Sequence, residues 1–231
     1  IISRLVIFSA RVKKPEEASA LVAQAIQSLY SNRPGPAAIE CAIDMWGRKS
    51  ADEMVVAPLA AQQPALDELA IKDAAKRLAN SKRPFIICGG GAQGASEEIT
   101  RLSEMLQAPV LGYRRGRGVL SSKSPFSVTL PLGRDLWGEA DVALGVGTHM
   151  LYPMMQWGMD DRIDVIRVDA DKDEPARIHK PAVSLIGDAQ PILQRLIEVL
   201  PNYLGKREDR TEEMRERHAK MNKRFKKIAP Q

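Results

Sequence analysis

The sequence predicts an α/β fold, a Rossmann-like parallel β-sheet with helices on both faces. From Leu66 onward, amphipathic helical segments alternate with short apolar runs. These runs lack the polar alternation of a half-solvated strand, which is typical of parallel strands covered on both faces. A glycine-rich loop at residues 89–96 then joins one of the apolar runs to the next helical segment, as tight strand-to-helix turns do in such folds.

The first part of the chain predicts half of an α/β unit. Residues 15–31 have apolar positions at helical spacing, with Pro15 suited to the first turn and Asn32 able to end the helix. A turn at residues 33–36 leads to an apolar strand at residues 37–43. Because the chain starts with Ile1 and a strand-like run, we expect a piece of a longer polypeptide, whose preceding part holds the sheet that this half-unit joins.

The remaining elements follow a regular order after a linker. Residues 49–65 are rich in Ala, Gln and Pro and show no periodicity, which indicates a connection. Asp188 is the expected N-cap of the last helix of this part of the chain. Helices are predicted at residues 66–81 and 96–107, and strands at residues 84–88, 110–113, 141–146 and 163–169.

Composition excludes several classes of protein. Hydrophobic residues make up 44% and charged residues 27%, which are ordinary values for a globular protein. Cys41 and Cys88 are the two cysteines, both in apolar strand-like runs, so we expect them to be buried and reduced. No CxxC pair or Cys/His cluster indicates a zinc site. No signal peptide or long apolar run is present either, and a cytoplasmic protein without a membrane partner is expected.

The net charge of +5 comes from the end of the chain. Residues 206–227 hold ten Lys/Arg and five Asp/Glu, which leaves 24 basic and 24 acidic residues elsewhere. A tail of mixed charges at residues 206–231 is more often a solvated helix or connector than a nucleic-acid arm. Nucleic-acid binding would also need aromatic side chains between the basic ones, and only Phe225 follows Tyr203.

The glycine loop is the first candidate binding site. Gly89, Gly90 and Gly91 follow a strand and precede a helix, so they could cradle a phosphate, although a tight turn that binds nothing explains them equally well. An NAD-binding fold needs a carboxylate about 20 positions further on to bind the ribose. The region of Arg114 and Arg115 offers cations instead, which disfavours an ordinary NAD dehydrogenase.

Two later loops also follow predicted strands, at the sheet edge where open α/β sheets bind ligands. One loop contains His149, a ligand contact or a structural residue; the other is acidic, with Asp169, Asp171, Asp173 and Glu174. The acidic loop lacks the glycine and terminal glutamate of a calcium site, so a solvated loop is expected and no metal. No catalytic residue can be assigned from spacing.

Five segments in order resemble a known family: residues 33–40, 83–91, 140–148, 165–171 and 186–189. They are similar to the end of the pyrimidine-binding domain and to the central domain of thiamine-diphosphate-dependent enzymes of the acetolactate synthase type. The resemblance implies a remnant of the preceding domain at residues 1–48, a linker at 49–65, a six-stranded Rossmann-like central domain at 66–205 and a basic connector tail at 206–231.

The resemblance also implies what the chain binds. The sites for thiamine diphosphate and Mg²⁺ would lie outside this chain, which alone would be non-catalytic and would work with the catalytic domains of its polypeptide in a homo-oligomer. Some relatives hold FAD or ADP in this domain. His149 stands where flavin-binding relatives have arginine, so FAD is expected to bind weakly or not at all. The implied nucleotide contacts are Gly89, Gly90, Gly91, Gly147, Thr148, Asp169, Asp188 and Ala189.

Three other functions remain as alternatives. A free-standing nucleotide-binding oxidoreductase would need a ribose-binding carboxylate and a substrate domain, which the sequence does not indicate. A nucleic-acid-binding module would depend on the tail alone. A sirtuin-like deacylase shares the sheet architecture but usually carries CxxC pairs.

Overall fold

The computed structural model describes residues 2–50, 56–158 and 162–228. The chain forms two compact units, Ile1–Pro64 and Ala65–Gln231. Among the described residues, no helix is both long enough and apolar enough to cross a membrane.

The smaller unit is a complete β-α-β motif. Strand β1 (Phe8–Val12) is followed by helix α1 (Ala18–Tyr30) and strand β2 (Ala37–Cys41). The two strands pair in parallel, with Phe8 opposite Ala37. The expectation that β2 lacks a sheet partner of its own is therefore wrong, because β1 begins directly after the apolar run at residues 5–7 and supplies that partner.

Much of the apolar surface of this unit stays exposed. Ile43 is 90% exposed, Trp46 78% and Leu5 72%. Cys41 is exposed as well, contrary to the expected burial. It ends β2, a strand whose last three residues are exposed. One helix is too small to cover both faces of a two-stranded sheet.

The larger unit is built on a six-stranded, wholly parallel sheet in the order β5-β4-β3-β6-β7-β8. This confirms the predicted α/β fold with a six-stranded parallel sheet. The strands are β3 (Pro84–Cys88), β4 (Val110–Gly112), β5 (Ser127–Val128), β6 (Val142–Val146), β7 (Asp164–Asp169) and β8 (Val183–Ile186), and the helices are α2 (Glu68–Asn80), α3 (Ser96–Leu106), α4 (Leu130–Trp137), α5 (Ala189–Val199) and α6 (Thr211–Ile228).

Helices cover the sheet on both faces. The connection from β3 through α3 to β4 and that from β5 through α4 to β6 run in opposite directions along the sheet. Because such crossovers are right-handed, α3 and α4 lie on opposite faces. Helices α2, α3 and α5 pack together, while α4 packs with α6. All residues of β3 and β6 are buried, as expected of central strands without polar alternation.

Two helices begin directly after an aspartate that caps them, and Asp188 is the cap that the sequence predicts. The carboxylate of Asp67 accepts the N–H groups of Leu69 and Ala70 at the start of α2. The carboxylate of Asp188 accepts the N–H group of Ala189 at the start of α5. Each cap satisfies donors that a helix N-terminus leaves without an intrahelical partner.

The basic tail is not a fully solvated connector, because α6 belongs to the core of the larger unit. The side chains of Met214 and Met221 are buried in the hydrophobic core. Arg207, just before the helix, donates to the carbonyl oxygens of Leu78 and Ala79 at the end of α2, at 2.7 and 3.0 Å. The sequence does not indicate this apolar contact, because the tail is rich in charges and the buried side chains of α6 are two methionines.

An ion-pair network reinforces the same contact. The carboxylate of Glu213 accepts hydrogen bonds from Arg210 at 2.8 Å, from Arg83 at 2.9 Å and from Arg217 at 3.0 Å. Arg217 also pairs with Glu139 at 2.7 Å. Hydrogen bonding to Arg210 is the largest cause that lowers the pKa of Glu213 from 4.5 to about 2, so this carboxylate stays ionised well into acid.

We predict that Met214→Ala lowers the free energy of unfolding by about 2–5 kcal/mol, because the side chain is fully buried and its removal leaves a cavity. Urea unfolding followed by circular dichroism measures the change. Lys220→Ala on the exposed side of α6 is the control and is expected to change stability by less than about 0.5 kcal/mol. Equal stability of Met214→Ala and the natural chain would contradict the packing of α6 on the core.

Candidate functional site

The topology of the sheet marks one crevice as the candidate site. Strand order reverses between β3 and β6, since β4 and β5 lie on one side and β7 and β8 on the other. Open α/β sheets bind ligands outside the carboxyl ends of the strands at such a switch point. The loop of Gly89, Gly90 and Gly91 follows β3, and the loop of Gly147 and Thr148 follows β6, so five predicted site residues flank this crevice.

The backbones of these two loops are in direct contact. Gly91 donates its N–H to the carbonyl oxygen of Gly147 at 3.1 Å, and Gly89 donates to Val146 at 2.9 Å. A Cβ atom added at Gly89 would lie 2.2 Å from the oxygen of Gly147. Gly147 itself has a φ of +52°, and a Cβ there would lie 2.4 Å from the Cα atom of Gly91. Only glycine permits this approach, whether or not a ligand binds.

The helix after the glycines begins at the predicted residue, but a short 3-10 segment separates it from the strand. Residues Gly90–Ala95 form a 3-10 helix, and α3 starts at Ser96. Within this turn, the N–H of Ala92 is bonded to the carbonyl oxygen of Gly89 at 3.2 Å. Seven residues, 89–95, therefore separate β3 from α3, and the amides of Gly89, Gly91 and Ala92 are already bonded within the protein.

The other three predicted residues lie at the same edge of the sheet, beside the next two strands. Asp169 ends β7, and its carbonyl oxygen accepts the N–H of Gly187 at 2.9 Å. Asp188 and Ala189 follow as the cap and first residue of α5. The eight residues thus form two neighbouring groups, one between β3 and β6 and one between β7 and β8. The carboxylate of Asp188 is used as a helix cap.

A buried arginine, Arg167 of β7, supports the loop after β6. It is 1% exposed, and its Nη2 atom donates to the carbonyl oxygen of Thr148 at 2.7 Å. The same nitrogen lies 3.9 Å from Oδ2 of Asp169. Burial lowers the pKa of Arg167, while the charges of Asp169 and Glu174 oppose that change. Gly145 provides room for it, because a Cβ there would lie 3.3 Å from Cδ of Arg167.

A second ion pair joins the loops after β6 and β7. The Nδ1 atom of His149 is hydrogen-bonded to Oε1 of Glu174, and Nη1 of Arg177 lies 3.3 Å from Oε2 of the same carboxylate. The expectation of a solvated acidic loop is wrong for Glu174, whose side chain is 4% exposed. Burial raises the pKa of Glu174, but the hydrogen bond and charge of His149, together with Arg177, outweigh it and lower the pKa.

The rim of the crevice carries cations and aromatic rings. Arg114, with a φ of 47°, holds its guanidinium 5.2 Å from the ring centre of Tyr113, a cation–π contact. A Cβ atom added at Gly90 would lie 3.3 Å from Cβ of Arg115, so this arginine stands over the glycine loop. The rings of Tyr113 and Tyr152 are 6.2 Å apart. Tyr152 directly precedes a one-turn π-helix, Pro153–Trp157, a feature frequent at functional sites.

The described residues of the crevice give it no activated nucleophile. Cys88 ends β3, and burial raises the pKa of its thiol to about 12, so it stays protonated at neutral pH. His149 is engaged with Glu174. Within residues 2–50, 56–158 and 162–228, no group of three or more His, Cys, Asp or Glu side chains could hold a metal ion.

The sequence indicates the glycines and aspartates of the site but not its charged supports. Arg167 lies within an apolar strand, and Glu174 lies among aspartates, so neither pattern indicates burial. A lone arginine in an otherwise apolar parallel strand was the available signal, because a buried charge requires partners.

Comparison with known proteins identifies the family. The family model for the thiamine pyrophosphate enzyme central domain matches residues 71–196. The chain belongs to this family. That match spans all six strands of the larger unit and both groups of predicted site residues.

Several curated relatives agree with this assignment. The probable 2-ketoarginine decarboxylase AruI of Pseudomonas aeruginosa is 34% identical over 202 residues, which are 84% of this chain and 36% of the relative. The acetolactate synthase isozyme 1 large subunit of Escherichia coli is 27% identical over 210 residues, 82% of this chain and 35% of the relative. The chain thus spans about a third of the length of these relatives.

A solved structure has the same fold. A protein described as a thiamin diphosphate-dependent enzyme from Mycobacterium smegmatis superimposes with a TM-score of 0.70 at 23% sequence identity. The superposition covers 89% of this chain and 40% of the other. At this identity the likeness supports the fold alone.

Two neighbouring glycines are expected to respond differently to alanine. Gly89→Ala should lower the free energy of unfolding by about 3 kcal/mol, because the new Cβ meets backbone atoms of Gly147 and Thr148 that have no room to move. Gly90→Ala should change it by less than about 1 kcal/mol, because its Cβ meets only the side chain of Arg115. Thermal and urea unfolding of both variants provide the measurement. Similar losses in both would show that the two loops are not in tight backbone contact.

Proposed function

We propose that this chain is the non-catalytic central domain, with the end of the preceding pyrimidine-binding domain, of a thiamine-diphosphate-dependent carboligase or decarboxylase that acts on 2-oxo acids. The observation that carries the proposal is the family match over residues 71–196, together with coverage of only about a third of each relative. The relatives named above are a probable 2-ketoarginine decarboxylase and the large subunit of an acetolactate synthase.

The physical role of the domain in this proposal is to fix the positions of its neighbours along the polypeptide. A sheet whose central strands are buried on both faces is stiff, because its interior is closely packed. The glycine contact closes the carboxyl edge of the sheet, and the Glu213 network attaches α6 to the body of the domain. A stiff domain of this kind holds the domains joined to its two ends at a defined distance from each other.

The proposed partners are the catalytic domains of the same polypeptide, within a cytoplasmic homo-oligomer. Thiamine diphosphate, which the family uses, and Mg²⁺ would bind to those domains. The exposed apolar side chains of the smaller unit support this arrangement, because burying a residue such as Ile43 or Leu5 is worth about 1.5–3 kcal/mol. In the intact polypeptide, the rest of the pyrimidine-binding domain would cover them.

The residues of the crevice do not fit FAD. The N–H of Gly91 is bonded to Gly147, and His149, which stands where flavin-binding relatives have arginine, is paired with Glu174. The side chain of Glu174 also adds a buried negative charge beside His149, in the loop after β6. An adenine nucleotide such as ADP, which needs no flavin pocket, is the ligand class we propose for this edge, with weak affinity.

Purified protein is therefore expected to be colourless, without the absorption bands of bound flavin. Calorimetric titration with FAD should give no saturable heat, because His149, which stands where flavin-binding relatives have arginine, is paired with Glu174. A stoichiometric yellow complex that survives gel filtration would contradict this prediction.

The reaction itself is tested on the full open reading frame that contains this segment. With thiamine diphosphate and Mg²⁺, the full polypeptide should release carbon dioxide or form acetolactate from a panel that includes pyruvate and 2-ketoarginine, whereas the 231-residue chain should show no turnover above blank. Thiamine-dependent turnover by the chain alone would overturn the non-catalytic assignment. Oxidation of NADH or NADPH by either protein would favour the alternative of a free-standing oxidoreductase.

A further inference from the structure

The carboxyl edge of the sheet holds a cluster of cations around one buried carboxylate. Glu174 receives a hydrogen bond from His149 on one oxygen and lies 3.3 Å from Arg177 on the other. The charge of Glu174 also acts on the buried Arg167. The cluster of Arg167, His149, Arg177 and Glu174 adjoins Thr148 and Asp169, two of the predicted nucleotide contacts.

We propose that Glu174 is a built-in counter-anion, which occupies this cation cluster and keeps the phosphate groups of nucleotides away from the edge of the sheet. The inference rests on the proposed function in one respect, namely that an adenine nucleotide would lie at this edge. It goes further by assigning a residue that sets how weakly such a ligand binds.

The charges of the cluster balance without a ligand. Arg167 and Arg177 supply two positive charges, Asp169 and Glu174 supply two negative charges, and His149 adds charge only when protonated. A buried ion is costly unless it is paired. Within the cluster, the charge of the buried Arg167 is therefore offset by carboxylates of the protein, and a phosphate finds no excess positive charge there.

A nucleotide phosphate would also have to displace the carboxylate from its partners. Arginine and histidine bind phosphate through the same charge-assisted hydrogen bonds that they now make to Glu174. A second anion beside a retained Glu174 is repelled by the charge of that carboxylate, whose side chain is 4% exposed. The carboxylate of Glu174 therefore competes with the phosphate for the same cations from a fixed position.

The pair between His149 and Glu174 also restrains the two loops that carry these residues. It joins the loop after β6 to the loop after β7, while Arg167 holds the carbonyl oxygen of Thr148 from below. Met150, next along the first loop, has a φ of 50°, a conformation that residues other than glycine adopt only where their surroundings hold them. The loop is thus fixed in one arrangement by its own contacts.

The test is Glu174→Gln in the 231-residue chain, with ADP and inorganic pyrophosphate as the probes. Glutamine keeps the size of the side chain and an oxygen that accepts a hydrogen bond, but it removes the negative charge. Isothermal titration calorimetry is expected to show that Glu174→Gln binds both probes at least about tenfold more tightly than the natural chain, a change of about 1.4 kcal/mol. A steeper loss of affinity with added salt should accompany the gain.

Asp173→Asn is the matched control. It removes one negative charge from the adjacent position of the same loop, but Asp173 is exposed and lies outside the cluster. Its affinity for both probes should stay within about twofold of the natural chain, because exposed charges are screened by solvent and salt. An equal gain in Asp173→Asn would reduce the effect to net charge and overturn the proposal.

Unchanged affinity in a folded Glu174→Gln variant would also overturn it. So would a loss of ADP binding, since Glu174 would then be a ligand contact and not a competitor. If Glu174→Gln does not fold, Glu174→Asp provides the decision: its shorter side chain withdraws the carboxylate from His149 and should give a smaller gain, and no gain counts against the proposal. Turnover by the full polypeptide is measured separately, so failure of one proposal leaves the other identifiable.

Discussion

The backbone contact between the loops after β3 and β6 is the constraint on which the rest of the larger unit depends. It lies where the strand order reverses, so it joins the two halves of the sheet at their carboxyl ends. Gly89, Gly91 and Gly147 allow main-chain atoms to approach at distances that any side chain would prevent. The loop after β6 is then fixed, and Arg167 and the His149–Glu174 pair complete its support.

The amino ends and the carboxyl ends of the strands are stabilised by different interactions. At the carboxyl edge, opposite charges balance within a small cluster. The contacts of this cluster fix the conformation of the loop after β6. At the opposite edge, Glu213 joins Arg83, Arg210 and Arg217, and the neighbouring Met214 of α6 is buried in the core. Apolar burial provides most of the free energy there, since partly exposed ion pairs are each worth about 1 kcal/mol or less.

Local patterns in the sequence predict the centre of the sheet and lose accuracy toward its edges. Strands β3, β4, β6 and β7 are apolar runs between helical segments, and Asp188 predicts the start of α5. Strand β5 has two residues and β8 alternates in burial, so neither has the pattern of a buried strand. The burial of Arg167 and Glu174 depends on partners distant in sequence, which composition and spacing do not indicate.

The shortness of β5 has a consequence for how this fold behaves in isolation. The outermost strand on each side of a sheet offers unpaired N–H and C=O groups, and a long flat outer strand invites strands of other molecules to pair with it. With two residues in β5 and four in β8, the larger sheet offers little template at either end. The five-residue strands of the smaller unit have no such protection. Intermolecular β-pairing in concentrated samples should therefore start from the first 64 residues.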